Sequence, residues 1–99
     1  MPGGQTTPHT RLYVITQGNC INCPAAKAVV NEAITDTEFS YEEIDLQDMD
    51  PDFEFKLLEH QIFIASTPSI IMDREGALQL LYSGKVPTVE DIQKILGGN

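Results

Sequence analysis

The spacing of apolar and polar positions divides the first half of the chain into a strand, a helix and a second strand. Residues 12–16 form an apolar, β-branched and aromatic run that ends before Gly18 and Asn19, which is typical of a strand buried on both faces. From about residue 21 to residue 34, apolar side chains recur every three or four positions, as one face of a helix requires. Residues 39–46 predict another strand, whose register the pattern does not set.

The region that follows predicts a helix and then a hairpin. Asp50 and Pro51 form a helix-start signal before apolar residues that continue at helical spacing as far as Ile62. Two short apolar runs, residues 69–72 and 78–82, then flank a polar turn. Gly76 stands in that turn, where a positive φ is most easily taken by glycine, so the two runs are predicted to pair as a β-hairpin.

The end of the chain predicts a third helix. Thr88 followed three residues later by Asp91 is typical of a helix N-cap, and Gly97 with Gly98 stops the pattern. The predicted element order is therefore β-α-β-α-β-β-α, an α/β fold with a central four-stranded mixed sheet. We expect strands separated by helices to pair in parallel and the hairpin to add an antiparallel edge.

The length of 99 residues suits one domain, which we place at residues 11–99. Residues 1–10 contain two prolines and two glycines and no large aliphatic side chain other than the starting methionine, so they are predicted to be a flexible tail. The aromatic residues Tyr13, Phe39, Phe53, Phe55 and Phe63 are interpreted as core and rim packing. The core is predicted to contain Val14, Val29, Val30, Ile44, Leu57, Ile70, Met72 and Leu80.

Charge and hydropathy exclude several partner classes. Six Lys and Arg stand against fifteen Asp and Glu, giving a net charge of −9 and a pI near 4.3, so nucleic acid and anionic lipid are not expected to bind. No apolar run is long enough to cross a membrane, and residues 1–10 lack the pattern of a signal peptide, so a cytoplasmic location is expected. Ten of the acidic residues fall between residues 36 and 59; they predict a solvated face, or a surface that steers a basic partner such as a dedicated reductase.

The candidate chemistry is a Cys-X-X-Cys pair at the start of the first helix. The unpaired N–H groups and the dipole of the helix N-terminus lower the pKa of a cysteine at Cys20 and favour its thiolate. Cys23 lies one helical turn later, where its thiol can resolve a mixed disulfide formed at Cys20. Pro24 suits the first turn because the helix loses little by its missing N–H. We therefore predict dithiol redox chemistry at Cys20 and Cys23.

Two other interpretations of the cysteine pair stay open. A Cys-X-X-Cys is also half of many zinc sites, but the chain offers only His9 and His60 as further nitrogen ligands and has no other cysteine. His9 falls in the predicted tail, and His60 is predicted to be a surface residue in or near the second helix. The pair could also be purely structural.

The chain resembles the thioredoxin superfamily over about residues 11–96, and most closely the short glutaredoxin-like thioredoxins of archaea and some bacteria. Three separated features carry the resemblance: the run CINCPAAK at residues 20–27, the segment STPS at residues 66–69, and Gly84. The resemblance implies a three-layer α/β/α fold. It also implies that Pro68 is cis and close to the cysteines, and that the backbone of Thr67 pairs with the substrate chain.

The resemblance further implies site residues and partners. It assigns substrate binding to Ser66, Thr67, Pro68 and Gly84, with support for the motif from Asn19, Ile21, Asn22 and Pro24. No bound cofactor and no metal are expected beyond a redox-active disulfide between Cys20 and Cys23, which an external reductase of the thioredoxin-reductase type would reduce. The implied partners are disulfide-containing proteins, and the implied oligomeric state is a monomer.

The chain also departs from these families. It has no tryptophan before Cys20, so the thioredoxin signature Trp-Cys-Gly-Pro-Cys is absent, and residues 12–15 contain no acid to act as the proton relay that thioredoxins carry. Glutaredoxins usually show Cys-Pro-Tyr-Cys, and a Gly-Gly followed by an acid pair that holds glutathione. Here a single Gly84 precedes Lys85, with Asp91 further on. The redox potential and glutathione binding are thereby left open.

Three function hypotheses follow. The first is an oxidoreductase that reduces protein disulfides, in which Cys20 attacks and Cys23 resolves. The alternative is a non-enzymatic redox sensor, or a module that binds a metal or an iron–sulfur cluster, which the Ile21-Asn22 insert and the missing tryptophan favour. In the third, the domain is structural only and both cysteines are dispensable.

Overall fold

The computed structural model describes residues 10–97 of the chain and contains all seven predicted elements. A 3-10 turn at Leu46–Asp48 joins the second strand to the second helix. The elements are β1 Thr10–Thr16, α1 Cys23–Ile34, β2 Ser40–Asp45, α2 Pro51–Glu59, β3 Ser69–Arg74, β4 Ala77–Ser83 and α3 Val89–Gly97.

The four strands form one mixed sheet in the order β2-β1-β3-β4. β1 pairs in parallel with β2 and β4 pairs antiparallel with β3, as expected. β3, however, pairs antiparallel with β1, so the expectation of parallel pairing is wrong for this pair. The register gives the reason. At the C-terminal end of β1, Thr16 lies opposite Asp45, where β2 ends, and Ile15 lies opposite Ser69, where β3 begins. The chain therefore leaves this edge of the sheet after β2, returns to the same edge through α2 and its loops, and enters β3 in the opposite direction.

Helices cover both faces of the sheet, which gives the three layers of an α/β/α fold. Alternate residues of β1 serve the two faces, as the pleat of a strand requires. The face under α1 and α3 buries Leu12, Val14, Ala26, Val30, Ala33, Ile70, Met72, Ile92 and Leu96. The face under α2 buries Tyr13, Ile15, Leu57, Ile62, Ile71 and Leu78.

The structure confirms most of the predicted core and corrects part of it. Val14, Val30, Leu57, Ile70 and Met72 are buried, and the other three predicted core residues are partly buried and pack against the same two clusters. In contrast, the side chains of Phe55 and Phe63 are 63% and 69% exposed, so their interpretation as core or rim residues is wrong. Phe55 lies two positions from Phe53 and from Leu57, which places it on the opposite side of α2.

The observed ends of most elements differ from the predicted ones by one to three residues. α1 begins at Cys23 rather than near residue 21, with Asn22 as its N-cap. α2 ends at Glu59, and Ile62 is buried by a chain reversal rather than by the helix: Gln61 has a φ of 60° and the Ile62 N–H donates to the Leu57 carbonyl at 2.9 Å. β1 begins at Thr10, one residue before the predicted domain start. The rest of the predicted tail, and Gly98 and Asn99, lie outside the described residues.

The structure confirms the predicted cap and hairpin turn. The Thr88 hydroxyl accepts from the Asp91 N–H at 3.1 Å, while the Asp91 carboxylate accepts from the Thr88 N–H at 3.5 Å. In the hairpin, Gly76 has a φ of 92° and its N–H donates to the Asp73 carboxylate at 2.9 Å. Across residues 10–97, none of the helices has the length and apolar character that a membrane span needs.

Candidate active site

Cys20 and Cys23 form a disulfide bond at the junction between β1 and α1. A turn closes this junction, in which the Cys20 N–H donates to the Gln17 carbonyl at 3.1 Å. The two Cα atoms are 5.4 Å apart. Cys20 is half-buried, whereas Cys23 is only 4% exposed. A partner can therefore reach Cys20 but not Cys23.

The position of Cys20 before α1 defines its electrostatic surroundings. Asn22 caps the helix with its backbone, its side chain makes no cap hydrogen bond, and Pro24 occupies the first turn. The first turn of α1 contains no acidic residue, so nothing there opposes the positive end of the helix dipole. The position of Cys20 at the helix start and the absence of acidic residues in the first turn both favour a thiolate at Cys20 when the disulfide is reduced.

A pocket of about 400 Å³ opens beside Cys20. Its wall is polar but uncharged, since side-chain amides supply most of its polar groups and no Asp, Glu, Lys or Arg contributes to it. Thr67 joins this wall from the segment before β3, and its hydroxyl donates to the Gln17 side-chain oxygen at 3.3 Å. The lining residues are Gln17, Gly18, Asn19, Cys20, Ile21, Asn22, Gln47 and Thr67.

Pro68 and Gly84 support the segment that carries Thr67. The Thr67–Pro68 peptide bond is cis, and the Pro68 side chain is fully buried. The Gly84 N–H donates to the Pro68 carbonyl at 2.8 Å, and the Ser69 hydroxyl donates to the Ser66 carbonyl at 2.6 Å. Hydrogen bonds on both sides of the cis bond therefore hold Thr67 against the Cys20 pocket.

Gly84 packs so closely against the Ser66 side chain that a larger residue at position 84 would have to displace it. A Cβ atom added to Gly84 would lie 2.6 Å from the Ser66 Oγ, and Gly84 has a φ of 75°. The Ser66 hydroxyl also lies 3.3 Å from that of Ser83. Ser66 and Gly84 thus belong to the support of the site and do not line the Cys20 pocket.

The structure separates the predicted site residues into two groups. Those that line the pocket are Asn19, Cys20, Ile21, Asn22 and Thr67; those that lie behind or beside it are Cys23, Pro24, Ser66, Pro68 and Gly84. Ile21 is the most exposed of the large apolar side chains described, at 91%. Its exposure makes it an apolar contact point next to Cys20.

Sequence reasoning missed Gln17 and Gln47, which both line the pocket. A usable signal existed for each of them. Gln17 directly follows β1, and Gln47 follows β2, which is parallel to β1. Residues that follow parallel strands meet at the same edge of a sheet, where α/β folds place their binding sites.

An ion pair lies one helical turn beyond Cys23. The Lys27 ammonium lies 3.1 Å from the Glu43 carboxylate, which also accepts a hydrogen bond from the buried Thr16 hydroxyl at 3.2 Å. These contacts tie α1 to the ends of β1 and β2.

Away from the cysteine pair, burial raises the pKa of Tyr82, and the negative charge of Asp91 raises it further.

The described part of the chain offers the cysteine pair no further metal ligands. Cys20 and Cys23 are bonded to each other, and within residues 10–97 no three His, Cys, Asp or Glu side chains are grouped closely enough to hold a metal ion. His60 contacts the Lys56 carbonyl through its Nδ1 at 2.9 Å. His9 lies outside the described residues.

Comparison with known proteins decides the family. The family model described as "Thioredoxin domain" matches residues 10–97, which is most of the chain. The chain belongs to the thioredoxin family. A search of curated proteins finds no match. Together with the Cys20–Cys23 disulfide, membership supports a general thiol–disulfide redox function for this thioredoxin domain.

Two solved structures are similar to the thioredoxin domain in fold. One is described as thioredoxin-2, a component of the malaria parasite protein secretion machinery; it aligns with a TM-score of 0.66 at 12% identity, over 98% of this chain and 89% of its own. The other is described as a malarial protein and aligns with a TM-score of 0.64 at 12% identity, over 91% of this chain and 96% of its own. At such identities the likeness concerns the fold alone.

Proposed function

We propose that this thioredoxin domain is an enzyme that reduces disulfide bonds in proteins, with Cys20 as the attacking and Cys23 as the resolving thiol. The observation that carries the proposal is the unequal exposure of the two bonded cysteines. Cys20 borders an open pocket, while Cys23 is 4% exposed beneath it. A substrate sulfur can thus approach Cys20 only, which sets the order of the two steps.

The two steps balance as one dithiol–disulfide exchange. In the reduced protein, the Cys20 thiolate attacks one sulfur of the substrate disulfide, a mixed disulfide forms, and the other substrate sulfur leaves as a thiolate that takes up a proton. Cys23 then loses its proton and attacks the Cys20 sulfur, which releases the second substrate thiol. The substrate gains two electrons and two protons, and the protein is left with the Cys20–Cys23 disulfide.

The uncharged pocket supports a substrate that is a peptide segment. Primary amides such as those of Gln17, Asn19 and Gln47 both donate and accept, as peptide groups do. In this proposal the Thr67 backbone pairs with the substrate chain, and the exposed Ile21 packs against an apolar side chain beside the target disulfide. Ser66, Pro68 and Gly84 act on substrate binding only through the position of Thr67.

The cycle needs an electron donor, since each turnover oxidises Cys20 and Cys23. We propose an external reductase of the thioredoxin-reductase type, protein substrates that carry accessible disulfides, and a cytoplasmic setting, in which the disulfide would be returned to its reduced form. No bound cofactor takes part in these steps. The domain is proposed to act as a monomer.

Reduction of insulin disulfides with dithiothreitol as electron donor tests the proposal. The wild-type protein is expected to accelerate the reaction over dithiothreitol alone, and Cys20→Ser is expected to remove the acceleration. Cys23→Ser that is first reduced and then freed of dithiothreitol is expected to stop after the first step with insulin, and to accumulate a mixed disulfide that is visible on a non-reducing gel.

If Cys20→Ser reduces insulin as fast as the wild-type protein does, this mechanism is wrong. A reduced wild-type protein that shows visible absorption, or that binds one metal per two chains, would instead favour the sensor or cluster-binding alternative. Loss of both cysteines with no change in any measured function would favour a structural domain.

A further inference from the structure

A second pocket, of about 490 Å³, lies between β2 and the start of α2. Its floor is apolar and aromatic: Tyr13 and Phe53 both line it, with their ring centroids 4.7 Å apart and their planes tilted by 53°. Its rim carries five carboxylates from the stretch between residues 42 and 50. We name it the acidic aromatic pocket.

Tyr13 offers a polar group at the floor of this pocket. The side chain is only 9% exposed, and no hydrogen bond of its hydroxyl is found among residues 10–97. No buried side-chain oxygen in this part of the chain lacks both a partner and solvent contact. Tyr13 lines the pocket, and its hydroxyl, which has no partner among residues 10–97, offers a hydrogen-bonding group to a molecule bound there.

Three of the rim carboxylates have no cation beside them among residues 10–97. Glu42 lies 3.7 Å from Arg11 and Glu43 lies 3.1 Å from Lys27. All six Lys and Arg residues of the chain belong to the described part, and none of them lies within 4.0 Å of the other three rim carboxylates, which are those of Asp45, Asp48 and Asp50.

These carboxylates are spread around the rim rather than gathered at one point. Within the described residues, no three acidic side chains are grouped closely enough to share a metal ion. Separated negative charges above aromatic rings suit a larger, flat organic cation. A guanidinium group meets both demands, because it donates hydrogen bonds to carboxylates in its plane and stacks its face on an aromatic ring.

We propose that the acidic aromatic pocket binds a guanidinium group, which Asp48 and Asp50 hold by charge while Phe53 and Tyr13 contact its face and its alkyl stem. The Tyr13 hydroxyl accepts a further hydrogen bond from it. The guanidinium would be carried by an arginine side chain of a partner protein or by a free small molecule. This binding requires no thiol chemistry and does not rest on the proposed function.

The acidic aromatic pocket lies next to the candidate active site. The Asp45 carboxylate accepts from the Gln47 N–H at 2.8 Å, and the Gln47 side chain lines the pocket of Cys20. The 3-10 turn Leu46–Asp48 thus forms a wall between the two pockets. An arginine held in one of them would lie beside a chain that reaches Cys20 in the other.

Titration of the oxidised wild-type protein with Nα-acetyl-arginine amide, followed by ¹⁵N–¹H NMR at low ionic strength, tests the proposal. We expect saturable shifts centred on residues 42–53, and none of comparable size with Nα-acetyl-citrulline amide, which has the same shape without the charge. Propylguanidine, which carries one positive charge as the amino-acid amide does, provides the small-molecule arm: tighter binding of propylguanidine indicates a free ligand, and tighter binding of the amino-acid amide indicates a protein partner.

A pair of matched variants separates the pocket from the general negative charge of the protein. Asp48→Asn combined with Asp50→Asn is expected to weaken binding about 10-fold; the Asp50 side chain makes no cap hydrogen bond to α2, so the helix start is retained. The control, Asp36→Asn combined with Glu38→Gln, removes the same number of charges outside the pocket and is expected to leave binding within about twofold. Phe53→Leu is expected to weaken it about threefold.

Equal weakening by the two charge pairs would overturn the proposal, because it would show attraction to the net charge alone. Equal shifts with the arginine and citrulline compounds, or no saturation up to about 20 mM arginine compound, would also overturn it. A variant whose NMR spectrum is not dispersed is set aside in favour of Asp48→Asn alone, for which the same direction is expected.

Discussion

Gly84 shows how a residue outside the cysteine motif controls the site. Its N–H holds the Pro68 carbonyl at 2.8 Å, its φ is 75°, and an added Cβ would lie 2.6 Å from the Ser66 Oγ. Gly84→Ala is therefore expected to lower the free energy of unfolding by about 1–3 kcal/mol, through backbone strain and the displacement of Ser66. Urea denaturation followed by circular dichroism measures this change.

Gly18→Ala is the matched control for Gly84→Ala. A Cβ at Gly18 meets no atom within 4 Å, and its φ is not in the left-handed region, so stability is expected to stay within about 0.5 kcal/mol of the wild type. Equal denaturation midpoints for the two variants would contradict the proposed role of Gly84.

The raised pKa of Tyr82 predicts that the folded protein loses stability at alkaline pH. Burial, followed by the charge of Asp91, raises the pKa of Tyr82 from its ordinary value of 10.0. Because the folded pKa lies above the unfolded one, the stability that comes from the neutral phenol is complete below pH 10 and is lost as the pH rises through the folded pKa. The urea midpoint of the wild type should then fall more between pH 8.5 and pH 11 than that of Tyr82→Phe. Equal falls in the two proteins would contradict this assignment.

Single residues were predictable where local chemistry determines their role. The cysteine pair, its place at a helix start and the glycine of the hairpin follow from short motifs whose geometry is local. Phe55 and Phe63 were misassigned because hydrophobicity alone does not tell which side of a helix or loop meets the sheet. Gln47 was missed because only the pairing of β1 with β2 brings it to Cys20.

At the scale of elements, all seven helices and strands were predictable, but one pairing direction was not. Each helix start carries a local signal, such as Pro51 for α2 or the Thr88–Asp91 pair for α3. The direction of β3 depends on residues 60–68, which return the chain to the edge where β2 ends. A connection of that length permits either direction, so no local pattern determines the result.

The cap of α3 gives a prediction at this scale. Thr88→Ala removes the side-chain oxygen that accepts from the Asp91 N–H at 3.1 Å, and is expected to destabilise the protein by about 1 kcal/mol. α3 packs on α1 through Ile92 and Leu96. The loss of stability is therefore expected to lower the midpoint of a single urea unfolding transition of the whole domain. Thr88→Ser keeps the hydroxyl and should recover most of the stability. If Thr88→Ser is as unstable as Thr88→Ala, the hydroxyl is not what caps the helix.

At the scale of the whole molecule, the dominant feature is negative charge. The net charge of −9 is concentrated between residues 36 and 59, which span β2 at the sheet edge, the 3-10 turn and α2. The described ion pairs are three, and each joins groups that are partly exposed, so they offset little of the repulsion. Self-repulsion is therefore expected to lower the stability of the compact state.

Salt should relieve this repulsion. Raising the sodium chloride concentration from 20 mM to 0.5 M is expected to raise the free energy of unfolding by about 1 kcal/mol, because the Debye length falls from roughly 20 Å to roughly 4 Å. The same change should stabilise Asp36→Asn combined with Glu38→Gln by less, since that protein starts with two fewer charges. Calorimetric unfolding at both salt concentrations measures the difference. A wild-type stability that is unchanged or lowered by salt would contradict the expected repulsion.

The same charge distribution is expected to select substrates at a distance. The pocket beside Cys20 is uncharged, whereas the neighbouring surface from β2 to α2 is acidic. Charge should therefore affect the rate at which a substrate approaches rather than the rate of thiol–disulfide exchange. Two synthetic peptide disulfides that differ only in having arginine or glutamate at three flanking positions make the comparison. At 20 mM salt, kcat/KM is expected to be about 10-fold higher for the arginine peptide, with similar kcat for both, and most of this difference should be lost at 0.5 M. A ratio that does not fall at high salt would show that side-chain contacts alone, and not long-range attraction, distinguish the two peptides.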